Sequence, residues 1–191
     1  LARVLPNAHD QRLPLTQLDE AKQERAHRLP QVLPGGKAVL FTVSTRETES
    51  FDDAAIDVVS LESGRRKRLI DGGSCARYSP TGHLLYVRGG QLLAVPFDLS
   101  RLAVTASPVP VLENVFYHTG AGQAYYALSG NGHLAYVPGP VLGATARPVW
   151  VDRQGKAEPL PVPPRAYMAP RISPDGKQVA TNDDEKGTTD A

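Results

Sequence analysis

"SPTGHLLYV" at residues 79–87 is a turn followed by an apolar run, and the chain writes this phrase four times. "LPGGKAVLF" (33–41) precedes it; "SGNGHLAYV" (129–137) and "SPDGKQVAT" (173–181) follow. The last glycines of the turns, Gly36, Gly82, Gly132 and Gly176, are spaced 46, 50 and 44 residues apart. Periods of about 40–50 residues belong to β-propeller blades or to helical arrays. Local chemistry selects the first. Pro34, Gly36, Pro80, Gly82, Asn131, Gly132, Pro174, Asp175 and Gly176 are hairpin-turn residues: proline presets φ, and glycine or asparagine accepts φ > 0. The runs after them are rich in Val, Leu, Tyr and Phe and lack helical periodicity.

Counted from each glycine, the third position reads Val39, Leu85, Ala135 and Val179, and the fifth Phe41, Val87, Val137 and Thr181. The fourth, on the opposite face of a strand, reads Leu40, Tyr86, Tyr136 and Ala180. Both faces are apolar, so these strands must be covered on both sides, as the inner strands of propeller blades are. Two further strand candidates follow each phrase: 55–64 and 65–73, 91–100 and 107–115, 147–155 and 156–164. Pro110, Pro159 and Pro161 fall in the last strand of their units, where an outer edge tolerates them.

The expected fold is therefore all-β, a propeller of four-stranded antiparallel blades. Residues 1–26 form the end of a preceding blade or a linker, with 13–18 as a candidate edge strand and 19–28 as a helical turn or solvated linker. Blades follow at 27–73, 74–123 and 124–167. A truncated blade occupies 168–191, with a strand pair about Asp175-Gly176 and a loose tail after Asp183. Closed propellers need at least four blades, so the chain, which begins at Leu1, reads as an arc of about three and a half blades from a larger ring.

Composition bounds the function. The formal net charge is +1, from 21 basic and 20 acidic residues. That balance gives no electrostatic case for nucleic acid or an anionic membrane surface, and no apolar run approaches a membrane span. Cys75 is the single cysteine, so no disulfide forms within the chain.

The repeats resemble the PD40 or WD40-like repeats of TolB-type β-propellers, whose core reads roughly S-P-D-G-K/R-x-I/V-A-F/Y. "RISPDGKQVAT" (171–181) is the nearest copy; "RYSPTGHLLYV" (77–87) and "ALSGNGHLAYV" (127–137) are near copies, the last with Gly130 in place of the turn proline. "HRLPQVLPGGKAVLF" (27–41), "GGSCARYSPTGHLLYVRGGQLLAVPFD" (72–98) and "WVDRQGKAEPLPVPPRAY" (150–167) are similar to the propeller region that follows the kinase domain in many large bacterial serine/threonine protein kinases. The resemblance covers about residues 27–183. It implies a non-catalytic propeller module binding a protein or peptide, a sensor or scaffold region of a bacterial signalling protein, periplasmic or extracytoplasmic. The alternative is the non-catalytic propeller that gates a serine peptidase of the prolyl oligopeptidase type.

Catalytic signatures are absent from the sequence. There is no Gly-x-Ser-x-Gly elbow, His-Arg-Asp or Asp-Phe-Gly, and no enzymatic activity is expected of these residues. No cofactor or metal is expected either: His9, His27, His83, His118 and His133 lack paired metal-ligand spacing. His83 and His133 stand where other copies carry Lys37 and Lys177, a solvent-facing pattern. Cys75 reads as a buried, inert thiol. Arg65–Arg68 are four basic residues on a candidate edge strand, which they would keep from pairing; a phosphate patch is the lesser reading. A ligand is expected on the rim of loops 45–54, 116–124 and 139–147, which add to a minimal blade. Its candidates are Phe51, Phe116, Tyr117, His118 and Tyr125, because aromatics supply contact area at low entropic cost. The bland reading is that these aromatics close gaps between blades.

Overall fold

A computed structural model of the chain describes residues 1–4, 12–130, 133–142, 149–151, 157–165, 168–172, 178–185 and 188–190. Among them there is no α-helix; the chain is all-β, and all but one of the described strand pairings are antiparallel. Two compact units, Leu1–Leu142 and Gly143–Ala191, divide it.

In the first unit, β1 (Ala2–Val4) and β2 (Arg12–Pro14) pair antiparallel. A 3-10 turn at Glu20–Lys22, capped by Asp19, leads into a four-stranded sheet in sequence order. Its strands are β3 (Glu24–Val32), β4 (Ala38–Thr45), β5 (Ala55–Ser60) and β6 (Arg66–Asp71). The second sheet holds β7 (Ser74–Ser79), β8 (His83–Arg88) and β9 (Gln91–Asp98), with β10 (Ala103–Val104) and β11 (Val109–Leu112) both on β9. Shorter pieces follow: β12 (Tyr117–His118), β13 (Gln123–Ala124), β14 (Tyr126–Leu128), β15 (Leu134–Tyr136) and β16 (Val141–Leu142). β14 and β15 form a hairpin; β12 pairs antiparallel with β13 and parallel with β16.

In the second unit, β17 (Val149–Val151) pairs with β18 (Ala157–Pro159). β19 (Met168–Ile172), β20 (Val179–Glu185) and β21 (Thr188–Asp190) make a three-stranded antiparallel sheet. The expected loose tail after Asp183 is thereby corrected: Asp183–Glu185 extend β20 and pair with Thr188–Asp190. Of residues 19–28, the expected helical turn forms at Glu20–Lys22, while the linker alternative is corrected: β3 begins at Glu24 and pairs along β4.

The turns explain the register. In the first copy the Leu33 amide donates to the Ala38 carbonyl at 2.9 Å, enclosing residues 34–37. In the second, Ser79 faces His83 and the turn holds only 80–82. Ser129 faces His133 in the third, its amide donating to the His133 carbonyl at 2.9 Å. Lys37 is thus one residue extra, accommodated by Gly35 and Gly36 at φ 81° and 66°. A one-residue shift exchanges the faces of a strand. Counting from the repeat glycine therefore misaligns the first copy: Ala38 corresponds to His83, and Leu40, not Val39, to Leu85.

Counting back four from Leu33 and Ser79 gives Leu29 and Cys75. Both have positive φ, 54° and 56°, and both sit where the strand register slips by one. The same bulge recurs in the same place in both sheets, although neither residue is a glycine.

Each long sheet is covered on both faces. Leu33, Ala38, Leu40, Ile56 and Val58 meet Ala76, Leu84, Tyr86, Val95 and Phe97 between the two sheets. Beyond the second sheet, Cys75, Leu85, Val87 and Leu92 pack with Val115, Tyr117 and Ala124. On the far side of the first, Val39, Phe41, Val43, Ala55 and Val59 pack with Leu1, Leu15 and Leu61. β7 lies beside the first sheet: the Cys75 amide donates to Thr42 Oγ1 at 3.2 Å and the Tyr78 amide to Gln31 Oε1 at 2.7 Å.

Candidate functional site

The three rim loops come together as far as they are described. The Phe51 amide donates to the Thr119 carbonyl at 2.8 Å and the Thr119 amide to the Leu142 carbonyl at 2.9 Å. Residues 143–147 of the third loop lie outside the described residues. The five aromatic and histidine candidates separate into two groups. Phe51 and Tyr117 are buried at 2% and 0% exposure. The Phe51 ring packs on Gly122, where φ is 72° and a Cβ would fall 2.3 Å from the ring. Phe116 is half-buried and edge-on to Tyr125, centroids 4.9 Å apart, and Tyr125 is 43% exposed. His118 is half-buried, and its Nδ1 lacks a hydrogen-bond partner among the described residues.

A cleft opens beside this rim. Counting back four from Ser129 gives Tyr125, the counterpart of Leu29 and Cys75. All three positions line the cleft, together with Arg77, Tyr126 and Tyr136. Gln123, Ala124, Ala127, Ala135 and Val137 complete it. Tyr136 and Val137 are 41% and 51% exposed. The Tyr126 hydroxyl donates toward the Cys75 and Leu85 carbonyls, which fixes its ring in the floor. Arg77 Nη1 donates to the Ala76 carbonyl at 3.1 Å and reaches the Leu29 carbonyl at 3.5 Å. Of the five rim candidates only Tyr125 lines the cleft.

The sequence reading missed Arg77 and the two other tyrosines because the three positions align only when counted back from the paired turn residues, and the bulges that mark two of them, at Leu29 and Cys75, are not written in glycine. Cys75 is buried as expected, with Sγ 3.8 Å from the Ala124 carbonyl oxygen. His133 is exposed, while His83 is half-buried with Nδ1 against Thr81. Pro34, Gly36, Pro80 and Gly82 stand in the observed turns. Asn131, Gly132, Pro174, Asp175 and Gly176 lie outside the described residues. Among the described residues, no group of three His, Cys, Asp or Glu side chains could hold a metal ion.

A second constellation lies on the first sheet. Arg66 Nη1 donates to Glu24 Oε2 at 2.8 Å and Nη2 to Oε1; Nε donates to Asp57. Arg68 bridges Asp57 and Asp71. The Glu24 and Asp57 side chains are only 1% and 3% exposed. The Arg66 guanidinium also lies over Phe41, 5.4 Å from the ring centre. Arg66 and Arg68 are therefore committed to carboxylates, which leaves only the exposed Arg65 and Lys67 of the 65–68 run to a phosphate patch. β6 is the sheet edge, as expected, but its arginines serve the sheet itself.

His27 joins this network, with Nε2 3.0 Å from Glu24 Oε2 and Nδ1 2.8 Å from Thr16 Oγ1. A carboxylate only accepts, so the neutral ring carries its proton on Nε2 and accepts from Thr16. Burial holds its imidazolium below the usual pKa, despite Glu24. Burial pushes the Glu24 carboxyl up, but Arg66, the Asp19 amide and His27 outweigh it and hold the pKa at about 2. Both groups bind fewer protons folded than unfolded, so both make stability fall with acid. We expect a first loss as pH drops below about 6.5, the unfolded histidine value. A second loss follows between the ordinary glutamate value, 4.5, and about 2. It amounts to on the order of 3 kcal/mol. Urea unfolding as a function of pH checks this; Glu24→Gln should remove the second step, and a flat profile from pH 4.5 to 2 would contradict it.

No family model matches the chain, and no curated protein matches it.

Proposed function

We propose that the chain is part of a non-catalytic β-propeller that binds a protein or peptide, the sensor or scaffold region of a bacterial signalling protein associated with a serine/threonine kinase. The observation that carries this reading is the recurrence of one strand–turn–strand unit at Leu29–Leu33, Cys75–Ser79 and Tyr125–Ser129, with its three corresponding residues on a single cleft. Units that stack face to face and turn one equivalent position toward a common cleft suit blades around an axis. Rigid sheets that carry exposed Tyr125, Tyr136 and Val137 suit a binding surface. The kinase context rests on the sequence resemblance, and a kinase domain encoded upstream of Leu1 is its check.

The binding reading is tested by panning a displayed peptide library against the purified chain. Enriched peptides are expected to bind at least about tenfold more weakly to a Tyr125→Ser, Tyr136→Ser double variant whose melting temperature is unchanged. Failure of any sequence to enrich over a blank surface would count against the reading.

A further inference from the structure

The cleft has a charge that no carboxylate among the described residues answers. Arg77 is the one charged residue among those lining it. Its Nη1 is held by two backbone carbonyls, and among the described residues no carboxylate pairs with it. Arg66 and Arg68, by contrast, each end on carboxylates. A half-buried guanidinium whose Nε and Nη2 have no partner among the described residues is an incomplete arrangement, and its planar fork matches a carboxylate bidentately. Most of the other lining residues are apolar or aromatic: Tyr125, Tyr136, Val137 and the small Ala127 and Ala135. The fitting ligand carries a carboxylate beside an apolar group. A peptide's last residue meets that demand in one unit, because its carboxylate and its side chain share one Cα. An internal acidic side chain does not, since its charge sits at the end of the group that should be apolar. Gln123, also on the cleft, can pair with the amide of the preceding peptide bond.

We propose that this cleft captures the free carboxyl terminus of a peptide ending in an apolar residue, with Arg77 binding the carboxylate and the tyrosines holding the side chain. This rests on the peptide-binding reading above and names its ligand class.

The 191-residue chain is titrated calorimetrically with acetyl-tetrapeptides ending in leucine, as free acids and as amides, and with isovalerate. The acids are expected to bind, and the amides at least about tenfold more weakly. Arg77→Gln, with its folding verified by melting, is expected to abolish the difference between acid and amide. Should that variant not fold, Arg77→Lys keeps the charge, removes the fork, and is expected to shrink the difference. Equal binding of acid and amide by the native chain overturns the carboxyl-terminus assignment and leaves the peptide reading standing. Isovalerate binding as tightly as the peptides overturns a peptide source in favour of small acids. Absence of binding in every arm overturns the inference; library peptides that bind elsewhere would then show that the broader reading survives it.

Discussion

Replacing Arg66 by methionine is expected to lower the unfolding free energy by about 3–5 kcal/mol. The change keeps an unbranched aliphatic stem and removes the guanidinium that lies over Phe41 and ends on Glu24 and Asp57. Both carboxylates are almost wholly buried, so the loss is mainly two acids left without their shared cation, not a lost attraction between exposed charges. Arg68 still reaches Asp57, but Glu24 keeps only His27 and the Asp19 amide. Urea unfolding at neutral pH measures the loss. Adding Glu24→Gln and Asp57→Asn to Arg66→Met removes the orphaned charges and should recover part of the stability. A single variant within about 1 kcal/mol of the native chain would mean that water screens the network as it screens surface pairs.

Strands were legible from the sequence because two local signals agree, turn residues at a fixed spacing and apolar runs between them. Their faces were not, because one residue, Lys37, lengthens the first turn, and nothing in "PGGK" against "PTGH" tells a three-residue loop from a four-residue one. The bulges stayed hidden for a related reason: left-handed backbone announces itself through glycine, but here Leu29 and Cys75 adopt it. The ion network joins Glu24 to Arg66 across the sheet, a pairing that no local pattern encodes. Basic residues 65–68 therefore looked like a single run, although strand alternation sends Arg66 and Arg68 to one face and Lys67 to the other. The rim candidates were chosen for aromatic area, and the loops that carry them do meet. Aromatic character alone could not tell Tyr125, which is exposed, from Phe51 and Tyr117, which are core.

Tyr117 is where that distinction has its largest consequence. Its ring is fully buried between the second sheet and the segment that carries it. Its hydroxyl lies 3.2 Å from Ser74 Oγ, and Ser74 donates to the Gly122 carbonyl at 2.8 Å. With the serine proton committed to a carbonyl, the phenol is the donor to Ser74. Burial pushes the phenol well above its usual pKa, so it stays protonated and able to donate. Tyr117→Phe keeps the ring and loses that donor, at an expected cost of about 1 kcal/mol. Tyr117→Ala also empties the ring's place against Val87, Leu92 and Val115, at an expected cost of about 3–5 kcal/mol. Denaturant unfolding of the two variants separates the terms. Equal losses would place the contribution in the hydroxyl chain, and a small loss for alanine would mean that the rim loops collapse into the space. In either case weaker peptide binding by a Tyr117→Ala chain follows from a damaged scaffold, so a binding site must be mapped with Tyr125, Tyr136 and Arg77, which line the cleft.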